Sequence, residues 1–369
     1  MNRLFRWDQM GLFLLALATG ILPFAVPEVC AAALREGLTL CSGPLLLSLF
    51  PFLVVSRLLI QCPESDLLAL PFRLAAWGIG IRTPCAARVL CIGFLGGFAP
   101  AASAAAQAVR TGQLTAEEAD ALLPACICSG PSFVVLTVGQ SLLGSAELGV
   151  LLFASQITAN YLTAALLNRF AGVRLVKPGS AAPASPAPPR LDEILADAAI
   201  TYCKLCGFIL FFRMLAAGAG ALLPAGAGTL CAILLEVCSG CDLASRTGRW
   251  GSLLCCAALS VQGLSVLLQV RTICPPEMTL RPLYRARMLH LPLSLALFYL
   301  LLPGGEADVF STLPARVLLM RRVPPDCALL VFAVCCMAAC TLRSGIRQVE
   351  QKQMARNAGG CCINSKTLL

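Results

Sequence analysis

GFLGGFAPAASAAAQ (residues 93–107) and LLPAGAGTLCAILLEVCSG (residues 222–240) decide how this chain is laid out. Both are apolar enough for hydrocarbon, yet dense in glycine and small residues that let a chain turn. Each occupies the same place in a repeated order of segments. LFPFLVVSRLL (49–59) precedes the first and GFILFFRMLAA (207–217) the second. After them come ICSGPSFVV (127–135) and LSVQGLSVL (259–267), apolar runs interrupted by small and polar residues, and each half then closes with one further apolar segment.

The chain as a whole is 58% hydrophobic and 13% charged over 369 residues, too little polar surface for a soluble domain of that size. Apolar windows lie at 10–27, 41–60, 89–109, 119–143, 147–168, 197–216, 222–241, 250–271, 286–303 and 327–342. A span needs about 20 apolar residues to cross roughly 30 Å of hydrocarbon. The expectation is an all-α, polytopic integral membrane protein. Arg3 and Arg6 before an apolar run could mark a signal peptide, but Pro27 and Glu28 make a poor cleavage site, and a retained first helix is preferred.

Lys and Arg placement tests whether the two glycine-rich segments cross or turn back. With Arg57, Lys204 and Arg213 left uncounted inside their segments, Lys and Arg divide as 14 inside and 11 outside if all ten windows span; if the third and seventh are re-entrant hairpins, the division is 19 and 6. The second arrangement obeys the positive-inside rule. It leaves about eight spans and an odd number in each repeat, so the second repeat is inverted. The chain then divides into an N-terminal membrane helix and loop (1–40), repeat one (41–170), a Pro/Ala-rich cytoplasmic linker (171–193), repeat two (194–303) and a C-terminal helix with a cytoplasmic tail (304–369).

Two re-entrant tips and two broken helices place free backbone groups near the membrane midplane, where substrate sites are built. The first tip contributes Gly97, Phe98 and Ser103; the second contributes Glu236, Ser239 and Gly240. The first break, Ser129, Gly130, Pro131 and Ser132, is either an unwound cargo-binding stretch or a simple kink. The second break, Gln262, Gly263 and Ser265 with Gln269 beyond it, makes the unwound reading the better one, because interruptions occur in both halves.

Glu236 is a deep charge costing roughly 3 kcal/mol unless paired or hydrated. It could hold a coupling cation or cargo, or pair with Lys204 or Arg213. Gln156, Asn160 and Thr163 share one helical face, lining a cavity or joining helices. Arg287 reads as an interfacial anchor, and His290, the single histidine, as a packed residue or a proton relay. Thr115 followed by Glu117, Glu118 and Asp120 reads as a helix cap.

Most of the 21 cysteines lie in apolar windows and act as small hydrophobes. The Cys203/Cys206 and Cys238/Cys241 spacings have no nearby histidine to support a metal site. A P-loop and a nucleophile with its base are both lacking, so no enzyme activity, cofactor or nucleic-acid partner is expected, despite the net charge of +9.

On SGPLLLSLFPFLVVSRLL, VRTGQLTAEEA, SGPSF, LLEVCSG, QGLSVLLQV and YRARMLH, residues 40–300 resemble the sporulation integral membrane proteins of the YlbJ type, which carry the nucleoside-recognition, or gate, fold. The resemblance implies a multi-pass protein of the bacterial cell membrane, or the outer forespore membrane, with both termini cytoplasmic. It implies transport of a small anionic metabolite, dipicolinate leading, with a coupling ion; a nucleoside transporter and a non-transporting scaffold or sensor are the alternatives. Two departures stand out. Gly97-Phe98-Ala99-Pro100 and Ser103 replace a glycine-proline tip followed by lysine, and Leu267 stands where the family often has histidine.

Overall fold

A computed structural model describes residues 2–62, 65–170 and 190–302, and among these every regular element is helical. The window expected at 327–342 and most of the 171–193 linker lie outside the described residues.

Helix α1 (Asn2–Ala25) ends at Val26, where Pro27 opens α2 (Pro27–Ser42). Proline bars its predecessor from helical geometry and is itself suited to a first helical turn. The two axes meet at 107° between Leu15–Ala25 and Pro27–Ser42. The loop expected before residue 40 is therefore a helix, packed lengthwise on α10 (Leu191–Leu222). Gly37 lets it approach, since a Cβ there would lie 2.8 Å from the Leu210 side chain. The Gly43-Pro44 pair repeats the break and starts α3 (Pro44–Gln61).

Two short helices, α4 (Ser65–Leu68) and α5 (Leu70–Gly78), lead into α6 (Pro84–Gly96). The chain turns at Gly97 and comes back as α7 (Phe98–Arg110), packed on α6. Seven alanines of α7, from Ala99 to Ala108, are at most 1% exposed. Such small side chains admit close neighbours on every side, here α3, α6, α8 and α14.

Helix α8 (Ala116–Cys126) opens with the expected cap: Thr115 Oγ1 accepts from Glu118 N at 3.1 Å, and the Glu118 carboxylate accepts from Thr115 N at 3.0 Å. Asp120 does something else, accepting at 2.8 Å from Thr279 N and 3.1 Å from Leu280 N. After residues 127–131 the chain continues as a π-helix (Ser132–Leu142) and then α9 (Ala146–Phe170). The π-helix and α9 touch backbone to backbone at Gly139 and Gly149.

α10 runs 32 residues; α11 (Ala225–Leu235) turns at Glu236 into α12 (Val237–Ser245), packed on α11. Beyond a 3₁₀ turn, α13 (Gly251–Val261) breaks at Gln262 and resumes as α14 (Gly263–Ile273), and α15 (Arg281–Leu301) follows.

Three described helical stretches, Ala146–Phe170, Leu191–Leu222 and Gly248–Ile273, are long and apolar enough to cross a bilayer, and a fourth is reached if the bent first pair counts as one. Outward-facing Phe24 is 88% exposed and Phe170 81%, an apolar surface suited to lipid. The fold is thus all-helical and compatible with membrane insertion.

A Cβ at Gly139 would fall 2.4 Å from the Gly149 Cα, whereas one at Gly207, in α10, meets nothing within 4 Å. Gly139→Ala is expected to destabilise by about 1–3 kcal/mol through overpacking. Gly207→Ala should hold or raise stability, as helical alanine is up to about 1 kcal/mol better than glycine. Thermal unfolding of the two variants in detergent checks the pair.

Candidate functional site

Each helical turn lies against one helix break. At Gly97 (φ +80°) a Cβ would come within 2.7 Å of Gly130 N and 3.2 Å of Cys128 O. At Gly263 (φ +68°) it would come within 2.8 Å of Leu235 O and 2.9 Å of Glu236 N. Only glycine meets both the left-handed backbone and the close approach. Gln262 is also left-handed, at φ +61°, a geometry that costs a non-glycine residue about 1–2 kcal/mol. Its side chain explains what holds it.

The two breaks converge on one carbonyl. Ile127 O accepts from Arg287 Nη2 at 2.9 Å, Asn160 Nδ2 at 3.2 Å and Gln262 Nε2 at 3.4 Å. Arg287 also reaches Asn160 Oδ1 at 3.3 Å and Ser260 O at 3.4 Å. A second layer lies beside it: Gln156 Nε2 donates to Ser260 Oγ at 2.9 Å, the Ser260 and Ser294 hydroxyls are 2.5 Å apart, and His290 Nε2 is 3.2 Å from Gln156 O. Arg287 and His290 are buried, and Arg287 makes no ion pair among the described residues. Arg287 Nε, Gln262 Oε1 and His290 Nδ1 have no partner among the described residues.

The snorkelling anchor expected of Arg287 is thus corrected to a side chain buried within the protein. α15 begins at Arg281, and the preceding loop is drawn inward, with Met278 and Leu280 fully buried and the Asp120 carboxylate holding Thr279 and Leu280. Arg287 therefore enters the interior rather than the surface. Its signal was present in the sequence, since Arg287, His290 and Ser294 are spaced three and four apart and share a helical face. Gln156 and Asn160 form the facing stripe on α9, while the Thr163 hydroxyl finds no partner.

Glu236, 2% exposed, pairs with neither Lys204 nor Arg213; Arg213 Nη2 instead meets Glu36 Oε2 at 2.7 Å. The Glu236 carboxylate caps α12, accepting from Cys238 N at 2.9 Å and Ser239 N at 2.7 Å. Anionic charge is favoured at that helix end, so this carboxylate is already served. Gly240 lets the hairpin arms close, a Cβ there lying 2.8 Å from Ile233 Cα. The Ser239 hydroxyl is buried without a partner among the described residues.

The remaining expected residues divide. Ser129 is buried, Phe98, Gly130 and Pro131 half-buried beside the first turn, and Ser132 is exposed. Ser103 and Gln269 lie elsewhere, on a cavity of about 140 Å³ shared with Arg57, Arg110, Asp197 and Lys204. Ser265 supports it indirectly, accepting from Gln269 Nε2 at 2.9 Å. The site residues expected from sequence thus fall into a cluster around the two helix breaks and a basic cavity. The cavity's cations went unrecognised, because they come from three separate elements with no local spacing to link them.

No protein-family model, curated protein or solved structure matches the chain. The site's own chemistry carries its functional reading.

Asn160→Ala removes a donor to Ile127 O and an acceptor for Arg287, and is expected to cost about 1–3 kcal/mol of stability. Thr163→Val, which deletes a buried hydroxyl with no partner, should be neutral or stabilising. Comparing the thermal unfolding of both variants tests whether the polar face works through its bonds or merely its polarity.

Proposed function

We propose that the chain is an alternating-access secondary transporter of a small anionic metabolite, built as an inverted repeat with two re-entrant hairpins. The observation that carries this reading is the convergence of both helix breaks on Ile127 O, with each hairpin turn seated on a break.

Several features support the inverted repeat. α3, the α6–α7 hairpin, the α8–π-helix pair and α9 correspond in order to α10, the α11–α12 hairpin, the α13–α14 pair and α15. Contacts between the halves are reciprocal: α7 packs on α14 as α12 packs on the π-helix, and α8 on α15 as α13 on α9. α9 meets α15, and α3 meets α10, as partners across a two-fold would. The hairpin arms hold 9–13 residues, or at most about 20 Å of helix, too short to cross hydrocarbon alone. Counting α8 with the π-helix and α13 with α14 as single spans leads to about eight in all, including the 327–342 window.

In this reading both termini and the 171–193 linker face the cytoplasm of a bacterial cell. Arg287 supplies fixed positive charge at the midpoint, where a broken-helix transporter binds cargo. An anion near the breaks would meet Arg287 and the Ser239 hydroxyl, which is free to donate. Glu236 holds the second turn in shape rather than a coupling ion. Dipicolinate is the candidate cargo that the family resemblance suggests, and no catalytic step is assigned to the chain.

Uptake of labelled dipicolinate into vesicles containing the purified protein tests this, beside Arg287→Gln, Glu236→Gln and a uridine control. Saturable dipicolinate uptake is expected, reduced roughly tenfold or more by Arg287→Gln, as losing a charge-assisted contact predicts. Wild-type vesicles that take up neither solute overturn the proposal for these cargoes.

A further inference from the structure

The basic cavity lies between α3, α7, α10 and α14, and its lining gathers at one level of the membrane. Arg57 is three residues from the end of the 41–60 window, Arg110 follows the 89–109 window, Asp197 opens the 197–216 window and Thr272 follows the 250–271 window. In the re-entrant arrangement all four of these ends face the cytoplasm. A cavity built where four apolar stretches end together lies at the depth of lipid headgroups rather than of hydrocarbon.

Arg57 is 8% exposed; Nη1 lies 2.5 Å from Asp197 Oδ2, Nη2 lies 3.3 Å from Thr201 Oγ1, and Nε has no partner among the described residues. Arg110 and Lys204 are exposed and make no ion pair among the described residues, so three cations meet one carboxylate. Their exposure suits a ligand that lies at the protein's surface and enters the cavity by one end. Acceptors stand beside the cations: the Asp197 carboxylate, and Gln269, which is 2% exposed and whose Oε1 has no partner among the described residues. A ligand that answers both sets carries an anionic group and hydroxyl donors.

The cavity adjoins apolar helix surface. On α10, Ile200, Lys204 and Phe208 are spaced four apart and line it; on α14, Leu264, Leu268 and Thr272 have the same spacing and are exposed. From Lys204 to Phe208, and from Thr272 back to Leu264, each helix runs toward the middle of its window, so the surface turns from basic to apolar with depth. Lys204 can lay its stem along such a surface and keep its ammonium at the headgroup level. At about 140 Å³ the cavity holds far more than one water, for which roughly 10–15 Å³ suffices, and suits a polar headgroup whose acyl chains run outside it.

We propose that this cavity binds an anionic glycerophospholipid of the cytoplasmic leaflet, with the phosphate on Arg57, Arg110 and Lys204, headgroup hydroxyls toward Asp197 and Gln269, and acyl chains along the exposed apolar faces of α10 and α14. Basic pockets between membrane helices on the cytoplasmic side suit such headgroups, because that leaflet carries anionic lipid. This site needs a bilayer around the chain but no transport by it.

Native mass spectrometry and thermal unfolding of the purified full-length protein in neutral detergent test it, with phosphatidylglycerol, phosphatidic acid, phosphatidylcholine and the soluble headgroup glycerophosphoglycerol as probes. Phosphatidylglycerol should bind saturably and raise the unfolding temperature. Phosphatidylcholine should bind roughly tenfold more weakly, phosphatidic acid, which lacks headgroup hydroxyls, several-fold more weakly, and the soluble headgroup weakest of all. Arg110→Gln and Lys204→Gln should each weaken phosphatidylglycerol binding roughly fivefold, with unfolding of the lipid-free protein unchanged, since neither side chain makes an ion pair among the described residues. Arg249→Gln, at an exposed cation on the turn between α12 and α13, should leave binding unchanged. Equal binding of phosphatidylglycerol and phosphatidylcholine, unchanged affinity in both cavity variants, or an equal loss in Arg249→Gln overturns the site. A soluble headgroup that binds as tightly as the whole lipid overturns the lipid in favour of a free phosphodiester. Phosphatidic acid as tight as phosphatidylglycerol overturns the hydroxyl contacts.

Discussion

A helix that stops inside an apolar interior leaves its last carbonyls without amide partners, and each such group must be answered or it costs the fold. At Ile127 the answer is a set of three side-chain donors from three elements: Arg287 on α15, Asn160 on α9 and Gln262 at the opposite break. One acceptor thereby ties α8, α9, α15 and the α13–α14 junction. The left-handed backbone of Gln262 follows from this, because its side chain reaches Ile127 O from that position. The glycines at 97 and 263 complete the arrangement by letting each hairpin turn sit on a break.

Much of this was legible in the sequence. Apolar windows with glycine at 97 and 263 announce turns and breaks, and the Thr115-x-x-Glu118 spacing announces its cap. What escaped was set by packing rather than by local pattern. α2 was hidden because a moderately polar stretch after Pro27 resembles a loop, although Pro27 and the Gly43-Pro44 pair mark its ends. Arg287 was hidden because arginine near the start of an apolar run usually snorkels. Only the inward loop held by Asp120 carries it into the core.

Glu236 shows how a sound general rule can point to the wrong partner. A carboxylate in an apolar segment does need an answer, and distant cations are the obvious source. Here the nearest positive field is the start of the helix that follows, two and three residues along. Arg213 is consequently free to join α10 to α2 through Glu36, and the Glu236 carboxylate secures a turn. The polar groups still lacking partners, on Gln262 and Ser239, lie around that turn and its facing break.

The arginines of the two proposed sites differ in how readily they exchange partners. Arg287 is buried among backbone and amide oxygens, and stripping partners from a buried charge costs about 3–5 kcal/mol. Arg57 faces a carboxylate that is mostly in solvent, and partners of that kind are worth about 0–1 kcal/mol. Arg57 is thus held by a loosely engaged partner, whereas Arg287 is fixed by the bonds it already makes. Arg110 and Lys204 bring further positive charge to the cavity that Arg57 and Ser103 line.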